Sequence, residues 1–180
     1  MNEMYRKLQT CLNSVREKTD FKPEVALILG SGLGDYAEGI QMEAAIDYGE
    51  IEGFPTSTVP GHKGRFVFGH VGEVPVVIMQ GRVHYYEGYA MSDVVLPTRL
   101  MGMLGAKKLI LTNAAGGVNY YYRPGDFMLI ADHITSFVPS PLVGANIDEL
   151  GVRFPDMSEV YSGRMREIVR REAQNLGILL

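Results

Sequence analysis

Val25-Ala-Leu-Ile-Leu29 running into Gly30-Ser-Gly-Leu-Gly34 is the stretch that decides the fold. Five consecutive apolar residues leave no polar face, so the segment reads as a strand buried on both sides, and the glycines end it in a tight loop. The pattern occurs twice more: Val74-Pro-Val-Val-Ile-Met79 ends at Gln80-Gly81-Arg82, and Leu109-Ile-Leu-Thr112 ends at Asn113-Ala-Ala-Gly-Gly117. Between them, Ser92 to Leu104 reads as a helix capped by Ser92, with Pro97 costing some regularity. Upstream, Met4, Tyr5, Leu8, Cys11, Leu12 and Val15 share one face at helical spacing, which makes Cys11 a core thiol. Strands alternating with helices predict an α/β layer structure. In such sheets the loops beyond the strand carboxyl ends line one crevice, where ligands bind, so the three loops are expected to converge.

Farther along, Phe127 to Ile130 reads as a strand with His133 after it as a structural hydrogen-bonder, and His70 as a solvated residue beside the hairpin turn Val71-Gly72-Glu73. Ser158 to Leu176 reads as a helix closed by Gly177, and Ile178-Leu-Leu180 as the opening of another buried strand. The sheet is therefore expected to be incomplete at its C-terminal end. With no repeat, low-complexity run or linker, residues 1–180 are expected to form a single α/β domain.

Composition narrows the function classes. With 180 residues, 46% of them hydrophobic and 21% charged, the chain can bury a sizeable core. A formal net charge of −4 gives no basic face for nucleic acid. The single cysteine excludes an internal disulfide and a cysteine-built metal site. The start MNEMYRKLQT lacks a secretory signal, and no apolar run reaches the roughly 18 residues of a membrane span, so the expectation is a cytoplasmic protein without membrane contact.

Three loops carry candidate chemistry. In Gly30-Ser31-Gly32-Leu33-Gly34 the glycines let backbone N–H groups close around an anion and Ser31 adds a hydroxyl; a plain turn explains the segment equally well. Asp35 stands where the dinucleotide fingerprint needs its third glycine. In Gln80-Gly-Arg-Val-His-Tyr-Tyr-Glu-Gly88, Arg82 and His84 alternate onto one side and together can grip an oxyanion, with Tyr86 on that side if the backbone stays extended. The bland alternative pairs Arg82 with Glu87 and satisfies His84 in a turn. Asn113 with the small residues to Gly117 leaves room for a flat or sugar-like ligand, or simply for close packing. Pro60-Gly61-His62-Lys63-Gly64 sets His62 between glycines, in a ligand-facing loop or an exposed turn.

Taken together, Leu29-Gly-Ser-Gly-Leu-Gly34, Val59-Pro-Gly-His62, Gly81-Arg-Val-His-Tyr-Tyr-Glu-Gly-Tyr89, Thr112-Asn-Ala-Ala-Gly-Gly117, Pro124-Gly-Asp-Phe-Met-Leu-Ile-Ala-Asp-His133 and Arg153-Phe-Pro-Asp-Met-Ser158 resemble the trimeric purine nucleoside phosphorylase family, in family order. The resemblance implies a three-layer phosphorylase-like α/β fold with a mixed central sheet flanked by helices. It implies a phosphate site made by Ser31, Arg82, His84 and the Ala114 backbone, with His62 on a loop that folds over the phosphate. It also implies ribose contacts from Tyr86, and from Phe154 reaching into a neighbouring subunit, hence a homo-oligomer, a trimer in the family. The implied reaction is phosphorolysis of purine nucleosides with inorganic phosphate as co-substrate and neither cofactor nor metal. Arg82 and His84 are the catalytic candidates, holding the anion near a developing ribosyl cation. The family's base-holding glutamate and asparagine fall beyond position 180, so the expectation is the N-terminal two-thirds of a phosphorylase, with Asn113 as a candidate neighbour of the base and its own turnover left open. Two other readings stay open: a sister phosphorylase of 5′-methylthioadenosine, and a non-catalytic remnant that binds phosphate or assembles with itself.

Overall fold

The computed structural model describes residues 2–56 and 63–180. Helix α1 (Glu3–Arg16) starts at Asn2, whose side chain accepts the Met4 N–H at 2.8 Å, and buries Leu8, Cys11 and Val15 completely. Five strands follow: β1 (Val25–Ile28), β2 (Gln41–Asp47), β3 (Arg65–Val71), β4 (Val74–Gln80) and, after helices α2 (Met91–Val94) and α3 (Leu96–Leu104), β5 (Lys108–Leu111). They form one sheet in the order β2-β3-β4-β1-β5. β1 runs parallel to both β4 and β5, and β2, β3 and β4 form an antiparallel meander, so the sheet is mixed.

Alternation along the strands separates two apolar layers. Ala26 and Ile28, Phe66 and Phe68, Val77 and Met79 share a face with Leu8, Cys11 and Val15 of α1 and Leu96, Leu100, Met101 and Leu104 of α3. On the other face, Leu29, Val67, Val76 and Ile78 pack with Ala37 from the 3-10 turn Gly34–Glu38. Burying full-sized side chains such as these contributes about 1.5–3 kcal/mol each before entropy is counted, which is what holds the helices on the sheet.

The chain divides into two compact units, residues 1–114 with 140–150 and residues 115–139 with 151–180. The second carries one helix, α4 (Gly163–Asn175), capped by the Ser162 side chain on the Met165 N–H. It ends in paired bonds from Gly177 N–H to the Gln174 carbonyl and from Ile178 N–H to the Ala173 carbonyl, with Gly177 at φ +69°.

Several expectations are corrected. Ser92 is not a cap: it lies inside α2, the run breaks at Val95, and Pro97 sits in the first turn of α3, where its missing N–H costs nothing. β5 is exposed rather than buried, since it is an edge strand paired only to β1. Phe127 to Ile130 finds no ladder partner and is irregular, and Ile178 to Leu180 forms no strand because the Ile178 N–H is spent on the helix cap. Ser158 lies outside α4, its N–H and hydroxyl both held by Asp156 at 2.9 and 2.6 Å, which keeps that carboxyl below its ordinary range. His70 lies within β3 rather than the turn, paired to Glu43 at 2.9 Å and edge-on to Phe21.

Candidate functional site

Because β1, β4 and β5 are parallel neighbours, their carboxyl ends leave the sheet at one edge. Thr112, the first residue after β5, ties them together. Its N–H donates to the Ile28 carbonyl at 3.0 Å. Its hydroxyl donates to the same carbonyl at 3.1 Å and accepts the Gly30 N–H at 2.8 Å. Its carbonyl accepts from Arg82 Nη1 at 3.2 Å. The loops after all three strands therefore meet at one residue. Glycine is required at position 30, where a Cβ would fall 2.6 Å from the Thr112 carbonyl oxygen and 2.7 Å from Asn113 Cα.

Arg82 and His84 come together as their spacing predicts. Arg82 Nε donates to His84 Nε2 at 3.3 Å. Guanidinium N–H groups only donate, so Nε2 accepts, and the neutral ring carries its proton on Nδ1, which faces Glu87 Oε1 at 3.1 Å. Glu87 also accepts the His84 backbone N–H at 2.7 Å, and only 3% of its side chain is exposed. The carboxylate thus belongs to His84, not to Arg82 as the bland reading had it. Tyr86 does reach the His84 side, but through a 3-10 turn over Tyr85–Glu87 instead of an extended backbone, which stacks its ring on the imidazole at 4.7 Å.

Just before Arg82, the Gly81 carbonyl is held by the hydroxyl of Tyr48, a buried residue whose phenol burial pushes well above its ordinary range. Among the described residues two N–H groups of Arg82, at Nε and Nη1, are engaged, which orients the guanidinium while the rest of its donor fork remains for an anion. Ser31 is exposed on the neighbouring glycine loop, and Asn113 bonds the Ala114 carbonyl at 3.2 Å. His62 lies outside the described residues. Phe154 belongs to the second unit, where its ring is 86% exposed and has the Arg153 guanidinium 5.7 Å from its centroid. In that unit His133 Nδ1 meets the Tyr161 hydroxyl at 2.6 Å, a structural role.

The family model of the phosphorylase superfamily matches residues 24–180. The chain belongs to this superfamily. Among proteins similar to this superfamily member, purine nucleoside phosphorylase 1 of Geobacillus stearothermophilus is 50% identical over 91% of this chain and 60% of its own length. Purine nucleoside phosphorylase of Rattus norvegicus is 46% identical, covering 91% and 57%. A crystal structure of the Schistosoma mansoni enzyme in complex with inosine superposes at a TM-score of 0.88 with 37% identity, over 96% of this chain and 62% of that one. The chain spans about three-fifths of the length of the curated relatives it matches. The mixed five-stranded sheet with flanking helices is the α/β fold of this superfamily.

Sequence reasoning named the Arg82–His84 pair that the structure brings together but missed the groups that hold it. Glu87 was three residues from a histidine, a detectable spacing. Thr112, Tyr48 and Gln80 act through long-range contacts that no local pattern displays.

Proposed function

We propose that this chain forms the phosphate and ribose half of a purine nucleoside phosphorylase site. In this reading inorganic phosphate is the co-substrate, and neither metal nor organic cofactor takes part. Ser31, Arg82, His84 and the Ala114 backbone receive the phosphate, His62 adds to it, and Tyr86 and the Phe154 of a neighbouring copy border the ribose. The observation that carries the reading is the convergence of three loops on Thr112, which sets an oriented arginine–histidine pair beside a serine-bearing glycine loop. The names of the relatives, all purine nucleoside phosphorylases, support the same substrate class.

In this reading the chemistry is a displacement at C1′ of the ribose. A phosphate oxygen forms the bond to C1′ as the C1′–N9 bond breaks, and the bonding pair leaves on the purine, which takes up a proton. Positive charge builds on the ribose in between, and phosphate held close by Arg82 stabilises it without being neutralised by covalent chemistry. His84 accepts from Arg82 through Nε2, which braces the guanidinium that faces the phosphate in this reading. In the same reading the protein works as a homo-oligomer, a trimer, in the cytoplasm. No helix among the described residues is long and apolar enough to cross a membrane.

The test is phosphate-dependent release of hypoxanthine from inosine by the purified chain, with Arg82→Ala as control for contaminating enzyme. Any turnover by this half-site is expected to need phosphate and to disappear in Arg82→Ala. Turnover of 5′-methylthioadenosine but not inosine, or turnover indifferent to Arg82, contradicts the reading.

A further inference from the structure

Gln80 is a polar residue buried among apolar ones, 2% exposed at the end of an apolar strand. An amide in that position costs free energy unless all its groups are paired, and an apolar residue of the same size would fill the space without that demand. Its partners show what the amide does. Nε2 donates to the Gly34 carbonyl at 2.7 Å and to Glu38 Oε1 at 3.0 Å. Oε1 accepts from Arg65 Nε at 2.8 Å. The same Glu38 oxygen accepts from Arg65 Nη2 at 2.6 Å and Lys63 Nζ at 2.7 Å, and the Gln80 backbone carbonyl accepts the Gly64 N–H at 3.0 Å.

These contacts join two loops of the candidate site. Gly34 closes the glycine loop that carries Ser31 and opens the 3-10 turn ending at Glu38. Gln80 stands two residues before Arg82 on the chain that delivers Arg82 and His84. Thr112 links the loops at Gly30; Gln80 links them at Gly34, so the Ser31 loop is pinned at both ends. We infer that Gln80 and Glu38 are positioning residues for phosphate, a cross-brace that fixes the distance between the Ser31 loop and the Arg82–His84 pair. This rests on the phosphate-site reading above. Glu38 keeps Arg65 and Lys63 from competing for the anion and holds the Gln80 amide in the orientation that reaches Gly34.

Glu38→Gln keeps the side-chain size but removes the charge that gathers Arg65 and Lys63; Gln80→Met keeps volume but removes the donor to Gly34. Glu43→Gln alters the contact to His70 on the same meander and touches neither loop. Inorganic phosphate binding is measured by calorimetry, and amide exchange at Leu33 and Tyr36 reports on the glycine loop. Glu38→Gln and Gln80→Met are expected to weaken phosphate about tenfold, since small misplacement of a positioned group costs up to about a hundredfold. Exchange at Leu33 and Tyr36 should quicken in both, while Glu43→Gln changes neither readout. Parent-like phosphate affinity in Glu38→Gln, with Arg82→Ala still weakening binding, overturns the cross-brace and leaves the phosphate site standing. Arg82→Ala binding like the parent, or a parent chain that binds no phosphate, removes the site itself and the cross-brace with it.

Discussion

Thr112 shows how much one side chain can organise. Its hydroxyl takes the Gly30 N–H and its carbonyl takes Arg82, so Thr112→Val, nearly the same shape, leaves the Gly30 donor without its partner. An orphaned, largely buried donor costs about 1–3 kcal/mol, and urea unfolding of Thr112→Val should show a loss of that size. A loss within error would mean that the Gly30 N–H finds water or another acceptor and that the loops do not depend on Thr112. Glu38 gives a second residue-level expectation. Hydrogen bonds from Lys63 and then Gln80, with the Arg65 charge adding, lower its carboxyl from an ordinary 4.5 to about 2. A carboxyl depressed in the folded state stabilises fully above its unfolded value and loses that contribution as pH falls through its folded one. Parent chain and Glu38→Gln should therefore differ in stability at neutral pH and converge as pH drops from about 4.5 toward 2, with the gap narrowing in high salt because the carboxylate is exposed. A gap independent of pH would assign the effect to packing rather than charge. Arg82 and His84 could be found from sequence because two residues of strand-end spacing fix which side they face. Gln80 and Tyr48 could not be assigned, because each takes its role from a partner supplied by the tertiary fold.

Among the elements, the apolar runs at Val25, Val74 and Leu109 were legible because a strand without a polar face has few other places to go. β2 was not. A bulge between Met42 and Ala44 interrupts its alternation, and most of its side chains are exposed, so no period-two signal survives. The start of α4 was misplaced because Ser158 carries the local sequence of a cap, while its hydroxyl is taken by Asp156 and the capping passes to Ser162. Ser162→Ala should accordingly reduce the helicity of α4 and cost about 1 kcal/mol, whereas Ser158→Ala should leave α4 unchanged. Circular dichroism and amide exchange at Met165 distinguish the two; equal effects would place the helix start where the sequence alone suggested it.

For the whole molecule, the superfamily match from residue 24 to 180 and the shared sheet account for the architecture, while the site depends on a handful of crossings between loops. Everything placed on Arg82 and His84 lies within the first compact unit and can be tested there without reference to the second. The net charge of −4 sharpens that test, because general attraction of anions is absent and any phosphate must be held by local groups. The most direct measurement is calorimetric titration of inorganic phosphate into the chain and into Arg82→Ala and His84→Ala. The account predicts saturable binding that falls about 10- to 100-fold when the Arg82 guanidinium is removed, the range for a hydrogen bond to a charged group, with a smaller loss for His84→Ala. Phosphate affinity unchanged in Arg82→Ala would contradict it.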